Sequence, residues 1–117
     1  MSRSDEAAKI FENDFNCCQA VLSALAPDLG LDRETALRIA TPFGGGMGRM
    51  GEVCGAVTGA FMAIGLKNGD PDSNNAAKER SYESVREFND RFRALHGSIL
   101  CRELLGCDIG TEEGMAE

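Results

Sequence analysis

The sequence predicts an all-α protein, a compact single-domain bundle of about five to six helices spanning residues 1–117. Three observations carry this. Apolar residues recur near a 3.6-residue period in every long segment, and no segment alternates with the period of two that marks a half-buried strand. Each periodic segment is preceded by a residue suited to capping a helix and followed by glycine or proline. A chain of 117 residues, 43% hydrophobic and 26% charged, is sized for one core and too short for two.

Ser4 is placed to cap a first helix with Ala8, Ile10 and Phe11 on its apolar face, and "NDFN" interrupts it. A second helix is expected from about Asn16 to Leu25, stopping before Pro27. Asp32 is the expected cap of a third, which should end where Thr41 precedes Pro42. A glycine-rich loop follows, then a helix from about Glu52 to Leu66. "KNGDPDS" reads as a turn with Ser73 capping the longest helix, about Asn74 to His96, closed by Gly97. A short helix should begin after Ser98 and end at Gly106, leaving a weakly ordered tail.

The net charge of −7 argues against nucleic acid or an anionic membrane surface, which both require a basic face. Arg80, Arg86, Arg91 and Arg93 are interleaved with Glu79, Glu83, Glu87 and Asp90, the pattern of a solvated helix face. No apolar run approaches the ~20 residues of a membrane span, and the polar N-terminus does not read as a secretory signal, so a cytoplasmic location is expected. There the five cysteines, Cys17, Cys18, Cys54, Cys101 and Cys107, would not form a fully paired disulfide framework.

Cys17, Cys54 and Cys101 each fall near an expected helix N-terminus, where unpaired N–H groups and the helix dipole favour thiolate over thiol. The alternative for any one of them is a buried, inert cysteine filling a gap between helices. "FGGGMGRMGEVCGAVTGA" (43–60) holds seven glycines around Cys54. Gly51, Gly55, Gly59 and Ala63 recur every four residues, a small-residue stripe that lets a second helix approach closely. The earlier glycines, with Gly45, Gly46, Gly48 and Arg49 as the candidate ligand-binding positions, suit backbone N–H donation to a sulfur or a cluster. The order of a phosphate-binding P-loop is missing. His96, Met47 and Met50 read as capping and packing residues before ligands.

"FNCCQAV" (15–21), the 43–60 segment and "CRELLGCD" (101–108) together resemble the C-GCAxxG-C-C family of redox-active proteins. Cys54-Gly55-Ala56-Val57-Thr58-Gly59 fits the Cys-Gly-Ala-x-x-Gly motif. The resemblance implies a prokaryotic protein whose shared cysteines, here Cys17, Cys54 and Cys101, serve redox chemistry or hold a metal. Cys18 stands where the family has a small residue and is expected to be incidental. The resemblance implies a further helix with a late cysteine beyond this point, so either Cys107 substitutes for that cysteine or the chain is a shortened member or fragment.

Three readings follow. The first is a dithiol couple, with Cys54 as low-pKa nucleophile and Cys17 or Cys101 as resolving thiol. The second is an iron–sulfur or other thiolate-bound metal site drawing on Cys17, Cys54, Cys101 and Cys107, although no Cys-x-x-Cys pair supports a zinc module. The third is a structural helical protein with inert cysteines. A redox protein is the expected partner, with a homo-oligomer left open.

Overall fold

The computed structural model describes residues 3–72 and 74–105. Among these, six α-helices follow one another: α1 (Arg3–Glu12), α2 (Cys17–Leu25), α3 (Arg33–Ala40), α4 (Gly55–Asn68), α5 (Asn75–His96) and α6 (Cys101–Leu105). No strand occurs among the described residues, and the one β-like pairing is the antiparallel bridge Val53–Leu100. The all-α, single-domain expectation holds.

Most boundaries obey the capping chemistry. Asn16 and Gln19 form a capping box on α2, each side chain bonding the other's backbone N–H at 2.9 Å. The Asp32 carboxylate accepts from the Thr35 N–H at 2.9 Å, which starts α3 and holds the Asp32 carboxyl below its usual range. Asn74 caps α5, while Ser73, the expected cap, lies outside the described residues. Gly97, at φ 87°, closes α5 in the left-handed conformation.

α2 ends at Leu25, before Pro27, as expected, and a 3-10 turn over Ala26–Leu29 follows, carrying Pro27 in its first turn, where a missing N–H costs nothing. Two expectations are corrected. Ser4 lies inside α1 rather than before it. The helix after the glycine loop starts at Gly55 rather than Glu52, because residues 51–54 are paired with the segment entering α6. Cys101 N–H donates to Glu52 at 2.6 Å, Cys54 N–H to Ile99 at 2.7 Å, and Arg102 N–H to Gly51 at 3.1 Å.

α2 is the central helix, packed on α1, α3 and α4, while α5 lies chiefly along α4. One core cluster joins Cys18, Leu22, Ala26, Ala36 and Ala40, with Leu31, Phe43 and Met62 against it. A second joins Ile10, Ala20 and Ala24 with Ala7, Phe15 and Leu37. The predominance of alanine brings helix axes close together. Because α5 is covered from one side, Tyr82 and Leu95 on its expected apolar positions are exposed. Phe88 is edge-on to Phe61 of α4, with ring centroids 5.9 Å apart.

Candidate thiol site

Three cysteines stand at three helix starts. Cys17 and Cys101 are the first residues of α2 and α6, and Cys54 is the N-cap of α4, its side chain making no capping bond. Cys17 and Cys54 are half-buried, Cys18 and Cys101 are buried, and none of the four is joined in a disulfide. Cys107 lies outside the described residues.

Glycines set the spacing between these elements. A β-carbon on Gly55 would sit 2.8 Å from the Cys18 nitrogen and 3.3 Å from the Cys17 β-carbon. One on Gly59 would meet the Cys18 oxygen at 3.1 Å and the Val21 β-carbon at 3.2 Å. The expected stripe therefore works between α4 and α2, and it draws the residue after Cys54 onto the start of α2. The 51–54 and 99–102 pairing does the same for Cys101. Cys54 and Cys101 each follow directly on the residues of the Val53–Leu100 bridge. An ion pair between Arg102 and Glu52, 3.2 Å and half-exposed, bridges the same two segments.

The glycine loop is largely bonded to itself. Residues 45–49 all have positive φ, between 62° and 71°, with Met47 and Arg49 included, and Gly51 follows at 72°. This is a left-handed turn. Non-glycine residues pay about 1–2 kcal/mol each to join it, which is why glycine fills most of the run. The N–H groups of Met47, Arg49, Met50, Gly51 and Glu52 donate to carbonyls of residues 43–47, at 2.9–3.2 Å. These five donors therefore hold the turn together instead of surrounding the Cys54 sulfur. Gly46 is buried, and a β-carbon there would lie 2.7 Å from that of Cys101. The turn is a lid over Cys101, and Gly46 is its contact point. Gly45 is half-buried, and Gly48 and Arg49 are exposed on the outer side. Met47 is half-buried, Met50 is exposed, and His96 packs on Phe92 in the last turn of α5, with ring centroids 4.5 Å apart.

The electrostatics correct a second expectation. Burial, then the charges of Cys54 and Cys101, push the Cys17 thiol above its ordinary range, outweighing the helix start and its own N–H. Cys17 therefore keeps its proton to a higher pH than an ordinary cysteine. Cys18 is pushed up to about 11, first by burial and then by Cys17 and Cys54. It is also one of the largest fully buried side chains, so it is a core residue and not an incidental one.

Among the described residues, no three Cys, His, Asp or Glu side chains are gathered in a group able to hold a metal ion. Sequence reading missed the pairing that fixes Cys101 and the handedness of the loop. The signal for the latter was present in the order Gly-Gly-x-Gly-x-x-Gly after Gly44, which repeats the residue that tolerates positive φ.

With this geometry in view, the family comparison is decisive: residues 15–117 match the model of the family described as "Putative redox-active protein (C_GCAxxG_C_C)". The chain belongs to this family. Comparison with curated proteins and with solved structures returns no match. Gly55 and Gly59, which follow Cys54, are the glycines that bring α4 against α2.

Proposed function

We propose that the protein is a thiol redox protein whose working dithiol is Cys54 and Cys17. The observation that carries this is the close approach of α4 to α2, where a β-carbon on Gly55, the residue after Cys54, would stand 3.3 Å from the Cys17 β-carbon. The Cys54 thiolate attacks a disulfide of a partner protein, forming a mixed disulfide and releasing one partner sulfur as thiolate. Attachment removes the Cys54 charge, and with it one cause that holds the Cys17 proton. Cys17 then loses that proton to solvent and attacks the Cys54 sulfur. The Cys17–Cys54 disulfide forms, the second partner sulfur leaves as thiolate, and two electrons have passed to the partner.

Cys101, buried under Gly46, is a positioning and charge-setting neighbour. No helix of the described residues is long and apolar enough to cross a membrane. A reducing compartment such as the cytoplasm suits a protein that rests with its thiols free. The test is a redox titration of the whole chain in dithiothreitol buffers, counting free thiols. A single two-electron transition is expected, lost in Cys54→Ser and in Cys17→Ser and retained in Cys107→Ser. A transition that survives both of the first two variants contradicts the proposal.

A further inference from the structure

A groove of about 240 Å³ opens beside Cys17, where the start of α2 meets α1 and α4. Ala7, Ala8 and Phe11 form its α1 side, a strip set by the three- and four-residue spacings that bring side chains onto one helix face. Cys17, Ala20 and Val21 repeat that spacing on α2, and Ala56 borders the groove from α4, two residues beyond Cys54. Four of these seven residues are alanines, whose small side chains leave the space that larger ones would fill. Phe11 is 53% exposed, whereas its neighbour Ile10 is buried in the core cluster with Ala20 and Ala24. The Phe11 ring therefore walls the groove instead of joining the core.

Three features decide the occupant. Among the described residues, the Cys17 thiol is the only lining side chain that is not a hydrocarbon. A charged or hydrogen-bonding group entering the groove would lose its water and gain no partner. The volume lies below the roughly 300–1,000 Å³ of sites for cofactors and drug-sized ligands, and suits a single large side chain. The third feature is position. A β-carbon on Gly55 would stand 3.3 Å from that of Cys17, so a polypeptide held on the Cys54 sulfur is brought alongside Cys17 and Ala56.

We propose that the groove receives the apolar side chain next to the attacked cysteine of a partner protein's disulfide. This rests on the reading that Cys54 and Cys17 are the reacting pair. In the exchange the Cys54 thiolate bonds to the flanked sulfur, the partner's S–S bond breaks, and its other sulfur leaves as thiolate. The aliphatic or aromatic residue beside the bonded cysteine settles against Phe11, Ala8 and Val21. The groove thereby selects which disulfides are reduced, and which of the two sulfurs is attacked.

The test follows reduced full-length protein reacting with hydroxyethyl disulfide and with the symmetric disulfides of two capped dipeptides, leucyl-cysteine and seryl-cysteine. Release of the small thiol is timed by chromatography. The leucyl disulfide should react about tenfold faster than the seryl one, the low end of the discrimination an apolar pocket gives. Phe11→Ser removes a wall and Ala8→Leu fills the groove, both at exposed positions. Each should abolish the preference and leave the hydroxyethyl disulfide rate unchanged. Leu95→Ser, at an 80% exposed position on α5, should keep the preference. Equal leucyl and seryl rates, with hydroxyethyl disulfide still consumed, would overturn the groove's role and leave the dithiol standing. A preference that survives both Phe11→Ser and Ala8→Leu would overturn it as well. Failure to react with any of the disulfides would overturn the dithiol reading, and this proposal with it.

Discussion

Replacing Gly55 with alanine sets two effects of opposite sign against each other. Alanine is favoured over glycine inside a helix by about 1 kcal/mol, so propensity alone predicts a gain in stability. The added β-carbon, however, would stand 2.8 Å from the Cys18 nitrogen, 3.2 Å from the Phe43 oxygen and 3.3 Å from the Cys17 β-carbon. The first two are backbone atoms, which cannot rotate away, so α4 must move off α2. Overpacking of this kind costs about 1–3 kcal/mol, and at the first residue of α4 the propensity gain is at its smallest. The net expectation is a loss of about 1–2 kcal/mol, or roughly 4–8 °C in melting temperature. Gly65→Ala is the control: it lies in the same helix, and a β-carbon there meets nothing within 4 Å. It should gain up to about 1 kcal/mol. Urea denaturation of both variants, followed by circular dichroism, reads the two signs. If Gly55→Ala were stabilising like Gly65→Ala, close α2–α4 contact at the cysteines would be refuted.

Other expectations follow from the same geometry. Gly48→Ala should cost about 1–2 kcal/mol of left-handed strain alone. Gly46→Ala should cost about 1–3 kcal/mol more, since its β-carbon also meets Cys101 and the Glu52 backbone, as paired urea titrations would show. In Cys54→Ser the alkylation profile of Cys17 by iodoacetamide should move to lower pH, because one charge that raises its pKa is gone; an unchanged profile would deny the coupling. Cys18 keeps its proton in the folded state to about 11 but loses it near 9.0 when unfolded. The native state then binds more protons over that interval, so stability falls as pH rises from about 9 toward 11. Cys18→Ala should flatten that fall in urea titrations repeated across pH, at a packing cost of about 1 kcal/mol.

The helices were legible because their signals are local. Asn16, Asp32 and Gly97 announce their boundaries through side-chain reach or backbone freedom, whatever surrounds them. The start of α4 was not legible, since residues 51–54 are withheld from the helix by partners almost fifty residues away. The placement of Cys17, Cys54 and Cys101 at helix starts could be expected from the sequence. The protonation of Cys17 could not, because it depends on burial and on the charges of Cys54 and Cys101, which only the packed structure brings to bear. Nor did composition reveal the exposed face of α5, whose apolar spacing alone suggested a covered helix.

The account's central claim is that Cys17 and Cys54 are the reacting pair. Reduced full-length protein, treated with one equivalent of diamide under dilute conditions and blocked with an alkylating agent, can be digested and mapped by mass spectrometry. The account predicts one intramolecular disulfide joining the peptides that carry Cys17 and Cys54, with Cys18 and Cys101 alkylated after unfolding. A disulfide confined to Cys107, or recovery of both Cys17 and Cys54 as free thiols, would contradict it.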